Sequence, residues 1–387
     1  MSEIAYAYYI PSLKPIFVAD YLKESFAMHL NVKVKNSLNL FLCRFSGEVS
    51  ECALKIADNF SETCFIVDLK GKGATFLIAA SQNQFCQIIS FAENLESSKL
   101  LILIKEQIGL SNNSQFKIGA NSWNGSSPVI MGILNITPDS FFDGGKHFEK
   151  TDYITIAEDL ISSGAEILDI GGESTRPGSQ SVSVEEELRR VLPAVEQIRS
   201  RFSIPISVDT TKPEVAEVVL SKGADMINDT SGLLHENEMI EVLKRYDASY
   251  CLMHTQGVPE SMQDSPEYQD VISEVYQFFQ MKLKKLSSSG IDRSKICIDP
   301  GIGFGKTFEH NLALQRMLPA FRNLGCLILL GTSNKSFIGT ALDRDVGKRL
   351  FGSLATQLSG WRNGANIFRV HDVLETNDVL KMGSLLL

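Results

Sequence analysis

From residue 129 to its end, the chain repeats one pattern: a short apolar segment, a polar residue that follows it, and an amphipathic helix. Such apolar segments are typical of strands buried on both faces of a parallel sheet. Eight of them occur, at residues 129–135, 167–171, 206–209, 226–229, 250–254, 296–299, 327–331 and 367–370. Eight strands that alternate with helices over about 260 residues predict an α/β fold, the TIM (β/α)8 barrel. A doubly wound sheet is the alternative, but it usually has fewer strands and a Gly-rich first turn.

The helices of the predicted barrel are marked by their periodicity and by their ends. They are predicted at residues 151–163, 184–201, 212–222, 238–245, 267–287, 312–321 and 341–362. Ser183 followed by Glu186 is typical of a capping box at a helix start. Gly164 and Gly223 stand where helices commonly end, because glycine adopts the left-handed conformation there.

The first third of the chain lacks this repeat and predicts a separate, small α+β domain at residues 1–125, ahead of a barrel domain at 128–387. Strands are predicted at 64–68 and 74–79, helices at 17–28 and 84–94, a further apolar run at 100–104, and linkers at 111–114 and 121–127. The turn around Lys70 and Lys72 is interpreted as a solvated hairpin rather than a phosphate site, because turns favour Lys and Gly in general. No catalytic constellation is visible in this domain.

Charge and composition exclude several partners. The net charge of −9 disfavours binding to nucleic acid or to an anionic membrane, although it leaves room for a small phosphorylated substrate. The N-terminus shows no positively charged segment followed by an apolar one, and no apolar run approaches the ~20 residues of a membrane helix. The seven cysteines are widely spaced without a Cys-x-x-Cys pair, so Cys251 and Cys297 are interpreted as small buried apolar residues. A cytoplasmic protein is expected.

Every predicted barrel strand ends in, or runs into, polar residues. Catalytic groups of TIM barrels lie at the carboxyl ends of the strands, so these residues are expected to form one site. They are Asn135, Glu173 with the following Ser-Thr-Arg-Pro-Gly178, Asp209, Asn228 with Asp229, His254, Asp299, the segment Ser333-Asn-Lys-Ser336, and Arg369 with His371.

Four of these residues suit a flat nitrogen heterocycle: Asp209, Asn228, Asp299 and Lys335. A carboxylate accepts two parallel hydrogen bonds from an amino-pyrimidinone edge, an amide complements a mixed edge, and an ammonium donates to a ring oxygen or nitrogen. The set therefore indicates a pterin or a purine. For Asp209 or Asp299 alone, capping of a neighbouring helix is the alternative.

A second group suits a diphosphate held as a metal complex: Asn135, Arg176, Arg369 and His371. Guanidinium groups match phosphate oxygens in pairs, and an amide oxygen from Asn135 is a suitable ligand for Mg²⁺. The alternatives are a salt bridge for Arg369 and a buried, hydrogen-bonded imidazole for His371.

Two further motifs indicate neither a nucleotide site nor a metal site. The segment from Asp299 to Thr307 has three residues between Gly301 and Gly305, where a P-loop requires four. Its glycines are interpreted as letting the backbone and Phe304 approach a flat ligand. His254 has no second metal ligand at a useful spacing, which favours a packing or hydrogen-bonding role.

Residues 128–373 resemble the dihydropteroate synthases of folate biosynthesis. Eight collinear segments carry the resemblance, and they begin at Asn135-Ile-Thr-Pro-Asp-Ser-Phe, Glu173-Ser-Thr-Arg-Pro-Gly, Val208-Asp-Thr, Ile227-Asn-Asp, Leu252-Met-His, Asp299-Pro-Gly, Ser333-Asn-Lys-Ser-Phe-Ile-Gly and Arg369-Val-His-Asp. Where the family usually has arginine between Ser333 and Lys335, this chain has Asn334.

The resemblance implies that 6-hydroxymethyl-7,8-dihydropterin diphosphate and para-aminobenzoate are joined to 7,8-dihydropteroate with release of pyrophosphate. It assigns the first group to the pterin, the second group to the diphosphate and Mg²⁺, and a third group to para-aminobenzoate: Thr175, Pro177, Phe304 and Ser336. It also implies a homodimer and a target for sulfonamides. The alternatives are a methyltetrahydrofolate:corrinoid methyltransferase, which needs no diphosphate clamp, and a paralogue without activity that only binds pterin or a partner.

Overall fold

The computed structural model describes residues 4–13, 38–45, 51–68, 74–93, 95, 100, 114–136, 152–174, 179–257 and 262–386. The predicted helix at 17–28, the turn at 70–72 and the apolar run beyond Leu100 lie outside these residues. The chain divides into two compact units, one comprising Met1–Asn113, Tyr268–Gln277 and Arg316–Gly325, the other Ser114–Glu267, Phe278–Gln315 and Cys326–Leu387. The second unit thus begins ahead of the boundary drawn from the sequence at residues 125–128.

The N-terminal segment contains a four-stranded antiparallel sheet with two helices. Its elements are β1 (Ile4–Leu13), β2 (Leu38–Phe45), α1 (Glu51–Asn59), β3 (Cys64–Asp68), β4 (Ala74–Ala80) and α2 (Gln82–Glu93), and the strand order is β1-β2-β4-β3. A buried cluster that includes Phe41, Ile56 and Phe76 joins the sheet to the helices. The α+β prediction is confirmed, but β1, β2 and α1 are additional to the elements predicted.

A short hairpin follows the first predicted linker, and its second strand lies within the second, so the linker predicted at 121–127 is wrong at 121–123. It consists of β5 (Phe116–Ile118) and β6 (Asn121–Trp123). Phe116 and Ile118 are fully buried in a cluster with residues of the barrel strands. Ser249 Oγ donates a hydrogen bond to the Lys117 carbonyl oxygen at 2.5 Å, which ties the hairpin to the start of a barrel strand.

Eight parallel strands then close into a barrel in chain order, and the TIM-barrel prediction is confirmed. They are β7 (Val129–Asn135), β8 (Ile167–Gly171), β9 (Ile206–Asp209), β10 (Met226–Asp229), β11 (Ser249–Met253), β12 (Ile296–Asp299), β13 (Leu327–Leu330) and β14 (Ile367–Val370). Six strands match their predicted bounds, whereas the predicted 250–254 is one residue late and 327–331 is one residue too long.

The inward side chains change character along the strands. Alternate residues of a strand face the same side, and those near the amino-terminal ends form an apolar cluster that includes Met131, Ile167, Met226, Cys251, Cys297, Leu329 and Ile367. Two residues further along four of these strands, the same face carries Asp169, Asn228, Asp299 and Arg369. Cys251 and Cys297 are buried within the apolar part, as predicted.

The helices of the barrel unit are α3 (Tyr153–Ser162), α4 (Val184–Arg201), α5 (Pro213–Ser221), α6 (Glu236–Tyr246), α7 (Val271–Ser288), α8 (Phe308–Arg316), α9 (Ser336–Leu342), α10 (Leu350–Arg362) and α11 (Val373–Leu386). Ser183 Oγ accepts the Glu186 backbone N–H at 3.2 Å, so the predicted cap forms. None of the helices that the structure describes is long and apolar enough to cross a membrane.

Three predicted helices are wrong in their bounds. The helix predicted at 267–287 begins only at Val271. The helix at 312–321 instead spans Phe308–Arg316 and is followed by a 3-10 helix at Leu318–Leu324, because Pro319 has no N–H to continue the α-helical ladder. The helix at 341–362 is divided into α9 and α10. Asp343 adopts the left-handed conformation with φ 51°, which ends α9.

Candidate active site

The residues predicted for the site lie where the barrel strands end. Asn135, Asp209 and Asp299 are the last residues of β7, β9 and β12, while Asn228 and Arg369 precede the last residues of β10 and β14. The remaining described members lie in the segments that follow strands or at the start of the next helix: Phe304, Lys335, Ser336 and His371. Thr175, Arg176 and Pro177 lie outside the described residues.

An ion-pair network joins β8, β9 and β14. Arg369 Nε donates to Asp169 Oδ2 at 2.6 Å, and Arg369 Nη2 donates to Asp209 Oδ2 at 2.8 Å. Asn228 Nδ2 donates to the same Asp169 oxygen at 3.3 Å. Asp169 is fully buried, and its Oδ1 has no hydrogen-bond partner among the described residues. Arg369 is thereby oriented by two carboxylates, which is the salt-bridge alternative considered for it, and Asp169 is a member of the site that the strand-end criterion missed.

Burial and the neighbouring charges act in opposite directions on the pKa values of both Asp209 and Arg369. Burial raises the pKa of Asp209 to about 7, and the neighbouring Asp169 adds to the rise while Arg369 counteracts it. Burial alone would lower the pKa of Arg369, but Asp169 and Asp209 raise it above its ordinary value. The guanidinium therefore stays charged, and Asp209 exchanges its proton near neutral pH.

A second network lies at the ends of β12 and β13. Asp299 Oδ1 accepts the Gly301 backbone N–H at 2.7 Å. Lys335 Nζ lies 4.1 Å from the centroid of the Phe304 ring, a cation–π distance. The Phe304 ring packs with Met253 and Met262, so an aromatic face and an ammonium are presented together beside Asp299.

Burial dominates the pKa values here as well. It raises the pKa of Asp299, which is opposed by the Gly301 hydrogen bond and by Lys335. It lowers the pKa of Lys335 to about 8, against the attraction of Asp299. Protonated or neutral, the amine of Lys335 carries N–H groups that are able to donate to a ligand ring.

The glycines after β12 serve a close approach between two loops. A Cβ on Gly301, at φ 69°, would lie 1.9 Å from the His254 carbonyl oxygen, and one on Gly305 would lie 2.3 Å from the Gln256 carbonyl oxygen. Their partner is thus the backbone that follows β11, and the interpretation that they admit a flat ligand is wrong for these two glycines.

His254 has the hydrogen-bonding and packing role that its sequence context favoured. Lys306 Nζ lies 3.0 Å from His254 Nδ1, and the imidazole meets the Phe278 ring edge to face at 4.9 Å. Burial, and secondarily the Lys306 charge, lower the pKa of His254 well below its ordinary value. The imidazole is therefore neutral at pH 7.

Other polar strand-end residues support the frame of the site. His371 Nδ1 lies 3.0 Å from Ser333 Oγ, which connects the ends of β14 and β13. Asp229 accepts the Tyr250 hydroxyl at 2.6 Å and the Ser231 backbone N–H at 2.7 Å. Asp229 was predicted as a strand-end residue of the site, and these bonds give it a structural role.

A charged cluster just after β8 was not predicted. Lys212 Nζ donates to Glu187 Oε2 at 2.5 Å and also pairs with Glu173. Glu173 accepts the Val182 backbone N–H at 3.3 Å, so residues 173 and 182 are held close together. These partners are up to 39 residues apart in the chain, and no local motif marks them.

The amide oxygen of Asn135 is compatible with serving as a ligand of a magnesium ion. In the described part of the chain, no cluster of three or more His, Cys, Asp or Glu side chains could hold a metal. Asn135 Oδ1 lies above Gly171, where a Cβ would come within 3.2 Å of it, so glycine leaves room around this oxygen. Mg²⁺ commonly takes one or two protein oxygens and completes its shell with phosphates and water.

Comparisons with known proteins agree with this geometry. The family model described as pterin binding enzyme matches residues 131–371, more than half of the chain. The dihydropteroate synthase of Escherichia coli strain K12 is 46% identical over 257 residues, which cover 66% of this chain and 91% of that protein. The chain belongs to the dihydropteroate synthase family.

Solved structures of the dihydropteroate synthase family share the barrel. A Yersinia pestis dihydropteroate synthase in complex with a sulfonamide drug matches with a TM-score of 0.66 and 39% identity over 70% of this chain and 98% of that one. A Xanthomonas albilineans enzyme in complex with 7,8-dihydropteroate matches with a TM-score of 0.62 and 36% identity over 70% and 98%. All the residues predicted for the site fall within the region that the family model matches.

Proposed function

We propose that the chain is a dihydropteroate synthase, which joins 6-hydroxymethyl-7,8-dihydropterin diphosphate to para-aminobenzoate and releases pyrophosphate. The observation that carries the proposal is the array of Asp209, Asn228, Asp299 and Lys335 at one end of the barrel. The Arg369 network holds Asp209 and Asn228, while Asp299 and Lys335 belong to the network at the ends of β12 and β13. The array combines acceptors and donors for an amino-pyrimidinone edge. Membership of the family supports the same reaction.

The chemistry needs no nucleophilic side chain. The C–O bond to the diphosphate breaks, the diphosphate leaves with the electron pair, and the aryl amine forms the new C–N bond and gives its proton to solvent. Because an aryl amine is neutral at pH 7, a strong general base is not required. Asp209 and Asp299 are placed to stabilise positive charge that develops on the methylene carbon and the ring.

The diphosphate is assigned to polar and cationic residues at the ends of β7, β8 and β14. Arg176 and His371 supply donors, and Arg369 has donors left beyond the two that bind Asp169 and Asp209. Asn135 would hold a Mg²⁺ ion through its amide oxygen. Such an ion, when bound, neutralises the charge of the leaving diphosphate.

Para-aminobenzoate is assigned to the outer part of the site, beside Phe304 and Ser336. Phe304 offers an aromatic face next to the Lys335 ammonium, and Ser336 is exposed at the start of α9. Thr175 and Pro177 are assigned to the same pocket. Sulfonamides are proposed to compete here, since a related enzyme has been solved with such a drug.

The assembly is proposed to be a homodimer through the last two helices. Phe351 on α10 is 82% exposed and Leu385 on α11 is 80% exposed, with Leu374 and Met382 also exposed on α11. Exposed apolar side chains on two helices that pack against each other support an interface on this side. A cytoplasmic location is proposed because all seven cysteines are free thiols, which is usual in a reducing compartment.

Pyrophosphate release tests the reaction. It is expected only when the enzyme, Mg²⁺, the pterin diphosphate and para-aminobenzoate are all present. Methyl transfer from methyltetrahydrofolate to a corrinoid would instead indicate the methyltransferase alternative. Tight pterin binding without turnover would indicate a paralogue that lost activity.

A further inference from the structure

Lys306 is a buried lysine that no step of the proposed reaction uses. Only 3% of its surface is exposed, and it has three acceptors within reach. Its Nζ lies 3.0 Å from His254 Nδ1, 3.3 Å from the His254 carbonyl oxygen and 2.9 Å from the Phe304 carbonyl oxygen. A buried ammonium is costly unless such partners compensate for its lost hydration.

These contacts connect two strand ends of the site. His254 follows β11, whereas Phe304 belongs to the loop between β12 and α8. Gly301 and Gly305 bring the same two loops into contact, since a side chain at either position would collide with the backbone after β11. Lys306 therefore holds together the junction between these two loops, whose close approach the glycines allow.

The junction fixes the side chain that faces the ligand. The Phe304 ring packs under the Lys335 ammonium, and the Phe304 carbonyl oxygen is held by Lys306. Lys335 is anchored separately, because its backbone N–H donates to the Thr332 carbonyl oxygen at 3.3 Å. Loss of Lys306 would thus displace Phe304 first and Lys335 second.

We propose that Lys306 is a positioning residue for para-aminobenzoate, which it serves by holding the Phe304 loop against the end of β11. An ammonium 3.0 Å from Nδ1 donates to it, and the proposal therefore includes the His254 tautomer that carries its hydrogen on Nε2. Burial also lowers the pKa of Lys306 to about 7, in line with an amine enclosed within the protein. The proposal rests on the proposed function for its kinetic part, but the histidine tautomer is independent of activity.

Steady-state kinetics of Lys306→Met test the kinetic part. The Michaelis constant for para-aminobenzoate is expected to rise about tenfold while that for the pterin diphosphate stays within about twofold, because a displaced loop misplaces one substrate. Lys306→Arg keeps a cationic donor and is expected to restore part of the difference. An equal rise of both constants, or unchanged constants with a lower melting temperature, would overturn the proposal.

Lys295→Met is the matched control. Lys295 lies just before the amino-terminal end of β12, is partly buried, and donates to the Asp247 carbonyl oxygen at 2.5 Å. Its replacement is expected to change neither Michaelis constant.

Nitrogen-15 NMR of the imidazole rings provides the activity-independent test. His254 is expected to carry its hydrogen on Nε2 in the wild type and to change its Nδ1 signal in Lys306→Met. An unchanged signal would overturn the proposal even if the enzyme is active. An inactive wild type with the expected change would instead refute the proposed function.

Discussion

The two ends of the barrel interior are built from opposite kinds of side chain, although the same strands supply both. At the amino-terminal end, inward residues such as Met131 and Ile367 pack with Phe116 and Ile118 of the β5–β6 hairpin. At the other end, two residues further along the chain, Ile367 is followed by Arg369. A TIM barrel thus separates the part that stabilises the fold from the part that binds a ligand.

The pKa shifts show that burying the ionisable groups of the polar end costs free energy. Burial raises the pKa of Asp209 and Asp299 and lowers that of Lys306 and Lys335, so in each case burial disfavours the charged form. Groups of this kind persist where function requires them. The apolar end carries no such penalty, and substitutions at the two ends are expected to affect different measurements.

Phe116→Ala is expected to affect stability most. The side chain is fully buried, and a Phe→Ala substitution in a core costs about 3–5 kcal/mol. Chemical denaturation should show that loss, while kcat/KM per folded molecule stays at the wild-type value. Lys117→Ala on the same strand is the control, because that side chain is exposed. A large loss of kcat/KM in folded Phe116→Ala would mean that the two ends are not separate.

Lys335→Ala is the converse substitution at the polar end. Loss of one oriented donor is expected to lower kcat by roughly 10²–10³-fold, with the melting temperature nearly unchanged because no core volume is removed. Lys348→Ala, an exposed lysine beyond α9, serves as the control. A well-folded Lys335→Ala protein with most of its activity would refute the assignment of this residue to the pterin.

The barrel was predictable because its information is local. Buried runs and the polar residues after them follow from strand burial, and Asp209, Asp299 and Arg369 were found in that way. Asp169 was missed because it lies inside a strand rather than at its end. The Lys306–His254 contact joins residues 52 positions apart, and no spacing rule reports such a pair.

The N-terminal segment shows the same limit more strongly. The hairpin of β3 and β4 was predicted, since the two strands are close in sequence and pair with each other. β1 and β2 were missed because each pairs with a strand that is distant in the sequence. Strand formation of this kind depends on context more than on intrinsic preference.

The pH dependence of stability probes the junction between β11 and β12. The pKa of His254 is lowered well below the ordinary 6.5, so below pH 6.5 the unfolded chain takes up a proton that the folded chain refuses. The free energy of unfolding should therefore fall by up to about 1.4 kcal/mol per pH unit below 6.5 from this group.

Comparison with His254→Gln isolates this effect. Asp209 acts with the opposite sign, because its raised pKa lets the folded chain bind a proton first as the pH falls below 7. The difference in unfolding free energy between the two proteins should shrink from pH 7 to pH 5.5. A constant difference would mean that folding does not lower the pKa of His254.

Asn334→Arg is expected to have the smallest effect and to sharpen the comparison within the polar end itself. Asn334 stands between Ser333 and Lys335 in the left-handed conformation with φ 59°, which asparagine tolerates better than arginine. The substitution should cost up to about 1 kcal/mol of stability.

The substitution also adds a cation beside Ser336, on the side assigned to para-aminobenzoate, whose carboxylate it would attract. The Michaelis constant for para-aminobenzoate should then fall about threefold, since an exposed charge pair contributes up to about 1 kcal/mol, while that for the pterin diphosphate changes less. Asn334→Gln controls for side-chain length without charge. Equal changes in both constants would show that residue 334 acts on the site as a whole rather than on its outer part.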